Sequence, residues 1–337
     1  MLRGIVSIPL WLWGQALCIY PREGELIEWM LYHPLEGGKG EKVAYLIASN
    51  LFADSILQEI AYIHGVKHQI VRRGFWLCIE GQATAEGLFA FFGALRGALQ
   101  RFPQRIQQGL LQTLPPKPSF SEPYSLLYED TVEEELSPLN INRYFVRYWL
   151  EGWLRCVIRG KAPTPLVRIA QQLVSKEEEF PPSVSPMPPP PSQPLPRQGL
   201  GITYIKWKLP FRDELSFISL WVYAQRLLQY LCEDKQLTCQ ANWIPLPEGL
   251  ELWIYTSFPI ATQQIVEDFL SRPFKERKNV TASFLSWAYA PENQLLASWW
   301  ACVWRLPRLP DPSSINRSSL NKVAKKWQVV SFTSALE

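Results

Sequence analysis

Histidine is scarce in this chain: His33, His64 and His68 are the only three in 337 residues. A catalytic or metal centre built from several imidazoles has almost nothing to draw on. Charge is sparse too, with 19% of residues charged and a net charge of +3, too mild to suggest nucleic-acid binding. No stretch approaches the ~18 uninterrupted apolar residues of a membrane-spanning helix. The apolar start "MLRGIVSIPLWLWGQALCIY" is broken by Pro9, Gly14 and Gln15, and "ALC" lacks small residues at both positions of a cleavage site, so it does not read as a signal peptide. No G-x-x-x-x-G-K-[ST] phosphate loop, G-x-G-x-x-G turn or G-x-S-x-G elbow occurs. The six cysteines, Cys18, Cys78, Cys156, Cys232, Cys239 and Cys302, form no C-x-x-C pair. They read as reduced, mostly buried thiols of a cytoplasmic protein, since a large core needs no disulfide staples.

Apolar residues and proline are plentiful. The chain is 47% apolar with 15 tryptophans and 29 prolines, long enough for two ordinary domains with their own cores. "FPPSVSPMPPPPSQPLPRQG" cannot form helix interior or a central strand, because proline lacks the amide donor and fixes φ. It reads as a polyproline II spacer, which divides the chain into residues 1–180, a linker 181–198 and residues 199–337.

The same order of elements is expected on each side of the linker. In the first half, extended chain over "ALCIYPREGELIEWMLYHP" precedes one long helix from Glu41 to His64, with Val43, Leu46, Ile47, Phe52, Ile56, Leu57 and Ile60 at helical spacing. Two strands follow around an Arg73-Gly74 turn, and Thr84 caps a second helix carrying Leu88, Phe91, Phe92, Leu95 and Leu99. In the second half, "GITYIKWKLP" alternates as a strand. A helix from Asp213 to Leu231, two strands and a helix from Thr262 to Leu270 complete the unit. Helical tails follow both units: "RYFVRYWLEGWLRCVIRG", with a strand, in the first, and "ENQLLASWWACVWRL" and "SSLNKVAKKWQVVSF" in the second. A duplicated β-α-β-β-α unit with hairpins implies an α+β fold rather than a doubly wound sheet.

The motif with most chemical promise is "HGVKH", where His64 and His68 stand four apart. It differs by one residue from H-x-x-E-H, the inverted zinc-peptidase motif in which two histidines hold Zn²⁺ and the glutamate activates water. Here Lys67 replaces the glutamate. A cation beside the metal is repelled and cannot serve as the base. Gly65 and the strand-like "HQIV" place a helix end between the two imidazoles. Glu133, Glu134 and Glu135 read as a solvated acidic face, not a third ligand. His33, in "LYHPLEGG", reads as structural. The tryptophans of "SWWACVW" and "YWLEGWL" recur at helical intervals and are expected to pack, and "RSSLNKVAKKW" reads as an exposed basic helix face.

The duplicated unit resembles the repeating domain of the pitrilysin and insulin-degrading-enzyme family of inverted-motif zinc metallopeptidases. The likeness is to the third and fourth domains, the C-terminal half. "PLWLWGQALCIYPREGELIEWMLYHP" is similar to the segment before the third domain's first helix. "AYLIASNLFADSILQEIAYIHGVKHQIVRRGFWLCIEGQATAEGLFAFFGAL" is similar to its helix, "agl" turn, hairpin and second helix, and "VIRGKAPTPLVRIAQQL" to its closing segment. "LCEDKQLTCQANWIPLPEGLELWIYTSFPIATQQIVEDFL" echoes the fourth domain around the family's "LRtkeqLGY" run.

The resemblance implies two homologous domains of mixed sheet plus helix, of the mitochondrial-processing-peptidase-like type. It puts "HGVKH" at a helix-to-strand turn rather than on the zinc helix, which belongs to the family's other half. The substrate-facing arginine and tyrosine of the "LRtkeqLGY" run fall on Cys232 and Cys239, so a guanidinium fork and a phenol are lost, while Gln236 and Leu237 match. Cys232, Gln236 and Cys239 are the substrate-binding candidates this implies, and Leu237 is expected to pack. The implied role is a non-catalytic half or subunit that closes a peptide chamber over a separate zinc-bearing half. This chain itself needs no cofactor, nucleic acid or membrane in that role. Among family members the protease of pyrroloquinoline quinone biosynthesis occurs in divergent and split forms, and it is the specific relative favoured. Two other readings stay open: a stand-alone peptide-binding or scaffold protein, and an enzyme with a metal site at "HGVKH".

Overall fold

The residues from Leu26 to Pro34 alternate so that Ile27, Trp29 and Leu31 point to one side and Met30 and Tyr32 to the other, and all five are buried. A strand buried on both faces must lie inside a sheet with layers above and below it. The computed structural model of the chain places it there. The structure describes residues 16–35, 41–73, 76–111, 136–150, 154–174, 201–208, 214–238, 240–246, 249–271, 290, 293–303 and 327–333. The proline-rich stretch 181–198, the run Glu133 to Glu135, Cys239 and "RSSLNKVAKKW" (317–327, apart from its last residue) lie outside them.

In the first half the strands are β1 (Leu17–Tyr20), β2 (Leu26–Pro34), β3 (Lys67–Arg73), β4 (Trp76–Thr84) and β5 (Arg155–Arg159). Its helices are α1 (Glu41–Phe52), α2 (Ser55–Ile63), α3 (Ala85–Gln107), α4 (Pro138–Phe145), which runs into a π turn over Val146–Leu150, and α5 (Thr164–Leu173). The second half has β6 (Gly201–Lys208), α6 (Glu214–Gln229) with a π turn over Tyr230–Asp234, β7 (Gln240–Leu246), β8 (Gly249–Thr256), α7 (Pro259–Ser271), α8 (Gln294–Val303) and β9 (Trp327–Thr333).

The first sheet runs β1-β5-β2-β4-β3 and the second β9-β6-β8-β7. Matching β2 with β6, β4 with β8, β3 with β7 and β5 with β9 makes the two orders identical, and each matched pairing is antiparallel. The parallel pairing of β1 with β5 has no counterpart among the described residues of the second sheet. The fold is thus mixed helix and sheet, with the same strand order twice.

Helices α1 to α5 cover one face of the first sheet. Trp29 meets Phe91 and Phe92 at ring separations of 5.4 and 5.6 Å, and Leu31, Leu77, Ile79, Cys156 and Ile158 fill the same layer. Each such side chain contributes about 1.5–3 kcal/mol by leaving water. The opposite face packs against α8. Trp299 stands edge-on to Tyr32 and Trp76, and one continuous core joins Met30, Cys78 and Val157 to Leu227, Leu252 and Trp300 of the second half. Packing was the expected role of the "SWWACVW" tryptophans, and Trp299 and Trp300 are fully buried.

Three expectations are corrected. The long helix from Glu41 to His64 is two helices, because Asp54 leaves helical geometry and caps α2, accepting hydrogen bonds from Ile56 N and Leu57 N. The second unit's tail ends in a strand, since β9 completes the second sheet beside β6. Cys18 and Cys302 are joined in a disulfide, whereas all six cysteines were expected to be reduced; Cys78, Cys156 and Cys232 remain thiols. Among the described residues no helix is long and apolar enough to cross a membrane.

Candidate functional site

The "HGVKH" segment folds as a helix stop followed by a strand. Val66 N donates to Ala61 O at 2.8 Å and Gly65 N to Tyr62 O at 3.3 Å, with Gly65 in the left-handed region at φ +61°. This pair of bonds closes a helix C-terminus and favours glycine at its hinge. His64 caps α2 and lies against the first turn of α3, where a Cβ on Gly87 would stand 3.1 Å from the His64 Cβ. His68 belongs to β3. Its ring packs with Phe52 at 5.3 Å and Phe91 at 5.4 Å, and burial lowers its pKa from the usual histidine value. Lys67 alternates to the other face of the strand and is exposed.

The two imidazoles therefore occupy different surroundings. Among the described residues no group of three or more His, Cys, Asp or Glu side chains is placed to hold a metal ion. A neutral ring held between two phenylalanines, one half-buried imidazole and an ammonium do not make a zinc donor set.

The other candidates lie where α6 ends. The π turn closes with Lys235 N donating to Tyr230 O and Leu237 N to Leu231 O, both at 3.0 Å. Gln236 takes φ +52°, so the chain reverses there and β7 can begin. Cys232 and Gln236 are both exposed on this turn, together with Glu233 and Asp234. Lys235 Nζ stands 5.3 Å from the centre of the Tyr230 ring. Leu237 packs against the core, as expected. The turn carries a thiol, an amide and two carboxylates at the surface.

Two polar constructions escaped the sequence reading. On the face of the first sheet that also meets α8, Glu28 receives Arg22 at 2.7 Å and Arg159 at 2.8 Å, and Glu80 receives Arg73 at 2.8 Å and Gln69 at 2.9 Å. Register sets Glu28 beside Arg159 and Gln69 beside Glu80, so the four strands β5, β2, β4 and β3 carry a polar lattice. The signal lay in the strand alternation, which puts Glu28 and Glu80 in phase with Met30 and Cys78 rather than with the residues under the helices. The second construction surrounds His33, whose buried ring contacts Tyr148 at 5.3 Å and Trp149 at 5.4 Å. Burial depresses its pKa to about 4.

No family profile matches the chain, and no curated protein is similar to it in sequence. Solved structures are similar in fold. A peptidase M16 inactive domain from Pseudomonas fluorescens superimposes with a TM-score of 0.59 at 11% identity, over 95% of this chain and 95% of that one. A chain of complex III2 from Candida albicans gives 0.60 at 10% identity, over 95% and 94%. The periplasmic protease PqqL from Escherichia coli gives 0.50 at 11% identity over 95% of this chain but only 44% of its own length. The chain thus has the fold of M16 peptidase halves, which is the fold that the sequence resemblance implied.

Proposed function

We propose that this chain is a non-catalytic half of a pitrilysin-type zinc metallopeptidase, acting in trans as a subunit. In this role it closes a peptide chamber over a separate zinc-bearing half and so excludes water from the enclosed peptide. The observation that carries the reading is one of extent. The chain matches an inactive M16 domain from end to end, yet spans 44% of a protease of the same fold. Among the described residues no zinc donor set is formed, and in this reading the metal and the water-activating carboxylate belong to the partner.

Two homologous domains, residues 1–180 and 199–337 joined by the linker 181–198, provide the half-chamber, a division supported by the repeated strand order. Cys232, Gln236 and Cys239 mark the peptide-facing run of the second domain. Maturation of the precursor peptide of pyrroloquinoline quinone is the setting we favour, on the sequence resemblance alone. The Cys18–Cys302 bond favours an oxidising compartment over the cytoplasm first expected.

The test is reconstitution. The chain is co-expressed with a candidate H-x-x-E-H protein from an adjacent reading frame, and the mixture is sized and assayed on peptides. A 1:1 complex whose cleavage needs both chains and stops with chelator supports the subunit role. Chelator-sensitive cleavage by this chain alone, lost in His64→Ala, would overturn it. Failure to form any complex, with peptide binding retained by the isolated chain, would favour the scaffold reading instead.

A further inference from the structure

The Cys18–Cys302 bond is asymmetric. Cys18 lies on β1, a four-residue strand that among the described residues is an edge strand paired with β5 alone, in the parallel sense, and the residue is half-buried. Cys302 lies on α8, 284 residues away in sequence with its Cα 5.9 Å from that of Cys18, and is 1% exposed. The Tyr32 hydroxyl donates a hydrogen bond to Cys302 Sγ at 3.3 Å. Arg155, the cross-strand neighbour of Tyr32, puts a positive charge beside it. Cys18 is thus the less buried partner, and the sulfur of Cys302 sits beside a buried proton donor.

We propose that Cys18 Sγ is a thiol-exchange site, and that exchange there by a dithiol reductant loosens the hold of α8 of the second half on the edge of the first sheet. The chemistry follows from the asymmetry. A reductant thiolate attacks Cys18 Sγ, the S–S bond breaks, and its electron pair leaves on Cys302 Sγ as a thiolate. Exchange rates rise with access to the attacked sulfur and with stabilisation of the leaving thiolate, which is what the Tyr32 O–H supplies. The reductant's second thiol then attacks the mixed disulfide and expels Cys18 as a thiolate. The reductant leaves oxidised, and its two protons end on the two cysteines. Cys78 lies across the strands from Tyr32, but burial raises its pKa, so it stays a thiol and does not compete.

The structural consequence is local. With the bond closed, the weak edge strand is tied to a helix held between the two sheets. With it open, β1 keeps its parallel ladder and the packing of Leu17 and Tyr20, and α8 keeps the packing of its buried face, Ala297 to Val303, but the covalent tie between them is gone. The bond is therefore a redox-controlled coupling of the two halves.

The experiment uses the full chain, oxidised, with glutathione and dithiothreitol as probes, alkylation to stop the exchange and mass spectrometry to place the label. The expected results are a glutathione adduct on Cys18 and not on Cys302, and a reduction by dithiothreitol that is roughly tenfold slower in Tyr32→Phe. Amides of 17–20 and 294–303 should exchange faster after reduction while those of 85–107 do not change, and Cys18→Ser should show that same pattern without reductant. The proposal is overturned by both cysteines being thiols in the isolated chain, by an adduct on Cys302, or by an unchanged rate in Tyr32→Phe. Faster exchange spread evenly over the fold would overturn it equally.

Discussion

Arg159 Nη1 lies 2.8 Å from one carboxylate oxygen of Glu28 on the neighbouring strand, while Arg22 holds the other oxygen at 2.7 Å. Glu28 and Arg159 are 6% and 9% exposed, so the pair lies almost beyond water's reach, whereas the Arg22 side chain keeps 34% of its exposure. A buried charge left without its partner is costly, and an exposed partner is replaced by solvent. Glu28→Gln should therefore destabilise the first sheet by about 3 kcal/mol, and Arg22→Ala by about 1 kcal/mol or less. Urea unfolding of the variants gives the ranking, and equal losses from the two would show that burial does not set the value of this pair.

Asp54 explains why two helices replace the one that periodicity suggested. Its carboxylate caps α2 and also accepts from Arg101 Nη2 at 3.0 Å, tying the start of α2 to the far end of α3. Asp54→Ala removes the cap and the ion pair together, and about 2 kcal/mol should be lost. Asp54→Asn keeps the cap and should recover at least half of that. Thermal unfolding of both variants tests the order.

Gly81 sits in β4 opposite His68, and a Cβ there would fall 2.0 Å from the Lys67 carbonyl oxygen and 2.9 Å from the Trp29 ring. Neither the backbone of β3 nor the buried tryptophan can yield without parting the hairpin. Gly81→Ala should cost several kcal/mol, among the larger single-residue losses in the fold. Gly93→Ala meets nothing within 4 Å and should stabilise α3 by about 1 kcal/mol. Comparable Tm values for the two variants would refute the contrast.

These cases mark what the sequence could and could not convey. Strands β2, β4, β6 and β8, and helices α3, α6 and α7, were legible because apolar period and caps such as Thr84 act within a few residues. The stop at Gly65 was legible for the same reason. The break at Asp54 was not, because its Arg101 partner lies 47 residues away and the apolar pattern runs across it. The strand β9 was hidden in a basic, polar tail, although the strand in "RCVIRG" of the first unit was a hint that duplication should repeat. The Cys18–Cys302 pairing depends on α8 lying against the edge of the other half's sheet, a relation that no local spacing records. At the candidate site, the exposure of Cys232 and Gln236 agrees with a surface turn, while the Glu28 and Glu80 lattice needed strand register to be seen.

His33 supplies a pH prediction. Its ring is fully buried among Tyr144, Tyr148 and Trp149, and Nδ1 is 3.0 Å from the Pro34 carbonyl oxygen, which it meets as a donor in the neutral ring. Desolvation by burial lowers its pKa from 6.5 to about 4, and the Pro34 hydrogen bond opposes that shift only in part. Below pH 6.5 the unfolded chain therefore binds a proton that the folded chain refuses until about pH 4, so stability is full above 6.5 and falls as the pH drops. The loss by pH 4 should be roughly 3 kcal/mol from this residue alone. Carboxylates add their own pH dependence, so the informative quantity is a difference between proteins. His33→Phe keeps an aromatic ring but cannot titrate, and its urea midpoint should fall less steeply than that of the wild type between pH 7.5 and 4. Parallel curves for the two proteins would mean that His33 is solvated enough to take its proton in the folded state.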